Sequence, residues 1–235
     1  PCGRPAFGAG REPFDRLIAE GERALGGVPA HPAIGLAEHH QRALAVAGGL
    51  LTALVATLAT NGALRSFDQY AVDHWMPWLR PGPHPLITFA ALTIPSFHPP
   101  AGNIALELWT YPAAVLPSLL IVLFAASRLS RHEVFTWPAL WCAGNAIELA
   151  GKLSLHKTAL HHHGLDVAAF DRSLPSGHTI RSLVVAGAVA SAWRSGQLAF
   201  VWAATVPFAL VVLGAHTPSD VLTGVFVAMT LAAWA

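Results

Sequence analysis

Side chains able to do chemistry gather in three places along the chain. The first is Arg172-Ser173-Leu174-Pro175-Ser176-Gly177-His178-Thr179-Ile180-Arg181, where a His-rich polar loop gives way to a long apolar run. A Ser side chain can cap the free amides of a first helical turn, so Ser176 and Gly177 predict a helix start with His178 inside that turn. The unpaired amides and partial positive charge of a helix N-terminus receive anions such as phosphate, here with a proton-carrying imidazole alongside. An ordinary capped helix start would use the same Ser and Gly. The second place is Gly214-Ala215-His216-Thr217-Pro218-Ser219-Asp220-Val221-Leu222-Thr223-Gly224. Thr217 as N-cap, Pro218 at N1 and Asp220 at N3 spell a capping-box-like start. Asp220 could equally fix the tautomer of the His216 ring and stabilise its charged form, as an orienting group does for a nucleophile. A carboxylate has two oxygens, so both arrangements are compatible. The third place is Glu148-Leu149-Ala150-Gly151-Lys152-Leu153-Ser154-Leu155-His156-Lys157, which holds the chain's only lysines. An i,i+4 pair of Glu148 with Lys152, one lysine snorkelling to an interface, is the plain reading. Ionisable groups at membrane depth more often face a bundle interior and do work there.

The elements that position these clusters belong to a membrane. Of 235 residues, 54% are hydrophobic and 11% charged, against about 25% charged in an average soluble domain. With a formal net charge of +1, a nucleic-acid partner is excluded. Cys2 and Cys142 are too few and too differently placed for a disulfide framework. The chain opens at Pro1 without an initiator Met and stops inside an apolar run, which reads as truncation at both ends.

Residues 1–41 predict a soluble cytoplasmic tail with a short amphipathic helix around 14–25, and residues 42–235 a membrane-embedded domain. Apolar runs predict six spans at 43–64, 111–126, 134–149, 178–193, 198–215 and 218–235. Residues 65–110 are rich in Pro and Trp, which favours the membrane–water boundary, and 86–97 is too short to cross, hence interfacial or re-entrant. The fold class expected is all-α, an integral membrane six-helix bundle. The arginines of the tail, Arg128, Arg131 and Arg194 then share one side, which predicts cytoplasmic termini and a multi-pass protein of the cell membrane. The 152–176 loop and His216 fall on the extracytoplasmic side.

Together the three clusters resemble the type 2 phosphatidic acid phosphatase superfamily, the lipid phosphate phosphatases related in their helical core to vanadium haloperoxidases. Pro175-Ser176-Gly177-His178 copies that family's second motif, and His216-Thr217-Pro218-Ser219-Asp220 matches its closing His-x-x-x-Asp. The resemblance implies that His216 attacks phosphorus to form a phosphohistidine while Asp220 holds its ring. His178 would protonate the departing lipid alkoxide and then activate water. Lys152, Ser176 and the Gly177 amide would neutralise phosphate oxygens. No metal or other cofactor is implied, and the partners are a membrane lipid phosphate and the bilayer itself.

The chain departs from the family pattern at two arginines. Ala159-Leu160 stand where the first motif has Arg-Pro, and Ala209-Leu210 where the third has Ser-Arg. Arginine is the preferred bidentate partner of phosphate, so two strong donors are missing. Lys157, Arg172 and Arg181 are the candidate substitutes. Arg181 is the favoured one, because an arginine inside an apolar helix must be paired or face a wet cavity, and pairing with Asp171, Asp166 or Glu148 is its alternative. The run His161-His162-His163 invites a metal, but consecutive side chains point apart and make a poor chelate. Expected functions are therefore a lipid phosphate or polyprenyl diphosphate phosphatase, a relative that binds or moves an anionic lipid, or a lipid phosphotransferase. The lipid and the oligomeric state are not legible.

Overall fold

Uncharged apolar runs become helices in the computed structural model, which describes residues 31–77, 79, 104–130, 133–167 and 170–235. By internal contacts the chain divides into Pro1–His40 and Gln41–Ala235. Of the first unit only the start of helix α1 (His31–Thr60) is described. The predicted tail helix at 14–25 and the piece at 86–97 lie outside the described residues.

Within α1, His39–Thr60 is long and apolar enough to cross a bilayer. Its Leu44, Val46, Leu50 and Leu54 are exposed, which is the ordinary outer face of a helix in lipid. Gly62, at φ 84°, turns the chain into the amphipathic helix α2 (Arg65–His74). One face of α2 buries Asp68, Ala71 and Val72. The other carries Phe67 and Tyr70, whose rings meet Trp75 edge to face at 6.0 and 5.7 Å.

Helix α3 (Ile104–Thr110) runs through a 3₁₀ turn (Tyr111–Ala113) and bends by 49° at Ala114 into α4 (Val115–Ala126). Pro112 has no N–H to continue the ladder, and Pro117 falls in the first turn of α4, where it is tolerated. The span expected at 111–126 is thus not one straight helix: its residues divide between the 3₁₀ turn and α4. The rest is α5 (Glu133–Ser154), a hairpin of β1 (His161–His162) and β2 (Leu165–Asp166), α6 (Gly177–Ala192), α7 (Leu198–Val212) and α8 (Pro218–Ala232). His163 and Gly164 both have positive φ, 50° and 79°, as a tight two-residue hairpin turn requires.

Helix α6 is the centre of the bundle, with α4, α5, α7 and α8 packed around it. It is buried nearly all round, including Thr179 to Ser182 and Val184 to Ala188, the behaviour of a helix without a polar face. The protein is mostly helical, as expected, but the count of six spans does not follow from it. Among the described residues two helices are long and apolar enough to cross, or three if the bent α3–α4 pair is one span. Helix α6, with 16 residues, is about 24 Å long, short of the roughly 30 Å hydrocarbon core. It is short because its polar motif residues begin the helix.

Candidate active site

The start of α6 is built as its residue types dictate. Ser176 is the N-cap, and its hydroxyl oxygen accepts from the Thr179 amide at 3.4 Å and from the Thr179 hydroxyl at 3.0 Å. The Ser176 amide donates to the carbonyl of Asp220 at 3.0 Å, tying the starts of α6 and α8 together. Gly224 allows this approach: a Cβ there would stand 2.8 Å from the Ser176 carbonyl oxygen. The His178 and His216 rings consequently become neighbours, with centroids 6.4 Å apart and planes tilted by 58°.

His216 is 8% exposed. Its Nδ1 is buried without a hydrogen bond and lies 3.6 Å from Asp220 Oδ2, an ion-pair distance longer than a hydrogen bond. Asp220 is itself fully buried. Its Oδ2 accepts from the Thr217 amide at 2.8 Å, the predicted capping box, and from the Ser173 hydroxyl at 2.7 Å. Its Oδ1 accepts from Lys157 Nζ at 2.8 Å.

Lys157, a candidate phosphate ligand, is buried behind Asp220 and also donates to Thr217 Oγ1 at 2.6 Å and Ser219 Oγ at 3.3 Å. A buried ammonium needs its counter-ions close, and Lys157 finds two in this cluster. Its second carboxylate is Asp68, at 3.4 Å, a residue that no motif marks. A signal exists: Asp68 shares a helical stripe with Ala71 and Val72, both buried, and a carboxylate on an apolar stripe needs a partner.

Arg181 is also held by internal partners. Its Nη1 bonds Glu148 Oε2 and, at 2.9 Å, Asn145 Oδ1, and its Nε donates to the Ala113 carbonyl at 2.8 Å. The weighed alternative, pairing with Glu148, is the one found. Pro117, four residues after Ala113, has no N–H to offer its carbonyl, and the buried Arg181 satisfies it instead. Lys152 Nζ stands 2.6 Å from Glu148 Oε1, with its side chain 34% exposed. Arg172 is exposed and 4.0 Å from Asp171. Of the four cations expected to grip phosphate, Lys152 and Arg172 thus stay accessible while Lys157 and Arg181 are withdrawn.

The positions of the missing arginines explain part of this repacking. Leu160 and Leu210 lie in one apolar cluster with Val72, Met76, Phe170 and Val211. Where the family pattern has phosphate-gripping groups, this chain seats the buried face of α2. The His triplet ends up on the hairpin, His161 Nδ1 2.6 Å from Asp166. Among the described residues no group of three His, Cys, Asp or Glu side chains stands together as metal ligands would.

Gly177 meets the Glu148 carboxylate so closely that no Cβ fits between them. Gly177→Ala is expected to displace Glu148 from its two cations and to lower stability by about 1–3 kcal/mol, the ordinary cost of overpacking. A thermal melt in detergent measures it; an unchanged midpoint would refute the close approach.

A helical membrane protein with two imidazoles and a carboxylate at converging helix starts is the class that fold and site define. The PAP2 superfamily model matches residues 49–235, and the chain belongs to that superfamily. Among solved structures, a transmembrane PAP2-type phosphatidylglycerolphosphate phosphatase from Bacillus subtilis aligns with a TM-score of 0.53 at 18% identity, covering 80% of this chain and 91% of that one. At that identity the likeness is one of fold. No curated protein matches the chain.

Proposed function

We propose that the protein is a multi-pass membrane phosphatase that removes phosphate from a lipid phosphate or diphosphate through a phosphohistidine. The observation that carries this reading is the His178–His216 pair, 6.4 Å apart, with Asp220 behind His216. In the first step Nε2 of His216 bonds to phosphorus, the bond from phosphorus to the lipid oxygen breaks, and His178 gives that oxygen its proton. In the second, His178 takes a proton from water, the oxygen of that water bonds to phosphorus, and the P–N bond breaks to release inorganic phosphate. Asp220 holds the ring and balances its positive charge. Lys152, Arg172, Ser176 and the first amides of α6, that of Gly177 among them, receive the phosphate oxygens.

In this reading residues 42–235 form the membrane domain, with the 1–41 tail in the cytoplasm and the site on the extracytoplasmic face. The family supports phosphatase chemistry; phosphatidic acid, phosphatidylglycerol phosphate and polyprenyl diphosphate are the substrates to try first. Purified full-length chain in lipid nanodiscs is expected to release phosphate from one of them without added metal. No His216-dependent release across the panel would end this reading.

The withdrawal of Lys157 and Arg181 into internal ion pairs favours a second reading, a relative that binds or moves an anionic lipid. It predicts lipid binding that survives His216→Ala and no phosphoenzyme. Phosphoryl transfer to a lipid acceptor would instead yield product lipid in place of free phosphate.

A further inference from the structure

Two helix starts converge on the site, and their free amides are used differently. At α8 they are already occupied. Asp68 reaches across from α2 and accepts from the Ser219 amide at 3.0 Å, from the Ser219 hydroxyl at 2.6 Å and from the Thr217 hydroxyl at 3.2 Å. A carboxylate from another helix therefore caps α8 beside the one α8 supplies itself, Asp220. The next residue, Gln69, grips the hairpin through both backbone groups of His161, donating to its carbonyl at 2.6 Å and accepting from its amide at 3.0 Å. Helix α2 is thus clamped both to the start of α8 and to the hairpin in the loop that leads to Ser176.

Lys157 lies between the two carboxylates, 2.8 Å from Asp220 and 3.4 Å from Asp68. Two carboxylates and one ammonium leave one negative charge in excess, buried next to His216. An imidazole that attacks phosphorus gains positive charge, and that excess is what it meets. Were Lys157 to belong to Asp220 alone, the pair would be neutral, and Asp220 would be drawn toward the ammonium and away from the ring.

We propose that Asp68 is a positioning residue for the His216–Asp220 pair: by sharing Lys157 and capping α8 it keeps Asp220 available to the nucleophile. This rests on the phosphatase reading above. Asp68 touches no reacting atom, so its loss is expected to show in kcat. Asp68→Asn should lower kcat about tenfold, within the range of coupling between groups of one network, and leave KM nearly unchanged. The double variant Asp68→Asn with Lys157→Met removes both charges, restores the single negative charge on Asp220, and should be faster than Asp68→Asn alone. If Asp68 only docked α2, removing a second partner would make matters worse.

The experiment measures kcat and KM for wild type and both variants in nanodiscs, with the rate of His216 modification by diethyl pyrocarbonate, read by mass spectrometry at one pH, as a measure independent of turnover. His178, the other imidazole at the site, is unchanged throughout and serves as internal reference. Asp68→Asn should speed modification of His216 several-fold, as Asp220 is drawn toward Lys157 and the excess negative charge beside the ring is lost. Wild-type kcat and an unchanged modification rate in Asp68→Asn would overturn the inference while leaving the phosphatase reading intact. Absence of His216-dependent turnover together with faster modification would end the phosphatase reading and support the positioning role. Should Asp68→Asn not fold, Asp68→Glu takes its place: it keeps the charge but moves the carboxylate, and wild-type kcat there overturns the inference.

Discussion

Replacing His216 by Ala is expected to lower kcat/KM for lipid phosphate hydrolysis by ~10³-fold or more, equivalent to about 4 kcal/mol of transition-state stabilisation. The whole loss should fall on kcat, because the groups proposed to hold phosphate, Lys152, Ser176 and the α6 amides, are untouched. The fold should survive as well: Nδ1 of His216 makes no hydrogen bond that truncation would break, and Asp220 keeps Lys157, Ser173 and the Thr217 amide. Phosphate release with an excess of enzyme separates the steps. Wild type should carry labelled phosphate on a histidine when quenched in alkali, and the variant should carry none. Turnover in His216→Ala within tenfold of wild type would remove His216 from the role of nucleophile.

The second large effect is on stability. Glu148→Leu leaves Arg181, 4% exposed at its side chain, with the Ala113 carbonyl and Asn145 but no counter-ion. Breaking a buried pair from one side costs about 3–5 kcal/mol, and a fall in melting midpoint on the order of 10 °C is the corresponding observable. The double variant Glu148→Leu with Arg181→Met removes both charges at similar volume and should recover most of that loss, since well-packed apolar pairs replace buried ion pairs at little cost. The outcome that counts against this account is a single variant that melts like wild type. Activity adds a distinction. Glu148 also holds Lys152 at 2.6 Å, so the double variant should fold yet bind phosphate differently, with KM altered more than kcat.

Both predictions depend on contacts the residue order could not show. Arg181 was legible as an arginine that must find a partner, since an uncompensated guanidinium does not persist in an apolar helix. Which partner it takes depends on α5 presenting Glu148 and Asn145 at the right height and on Pro117 leaving the Ala113 carbonyl without an amide donor. Lys157 was legible as one of only two lysines beside a motif. Its withdrawal behind Asp220 depends on α2, a helix whose sequence carries no motif. The two missing arginines are legible in the sequence as a departure from the family pattern. That Leu160 and Leu210 meet in one apolar cluster and seat α2 there could not be read, because they stand fifty residues apart and share no local periodicity.

Local chemistry explains what the chain alone determined. Composition placed it in a membrane and made it helical, since backbone groups in lipid must be satisfied within their own segment. Ser176, Thr217, Pro218 and Asp220 marked two helix starts because capping acts over three or four residues. The family motif implies that His178 faces His216; the 6.4 Å between their rings comes from the fold. Tertiary structure decided how far each helix runs, where α3 and α4 break, and which cations remain open to an anion. Those outcomes are governed by charge pairing and close packing between helices distant in sequence, and such forces act only once the chain has folded.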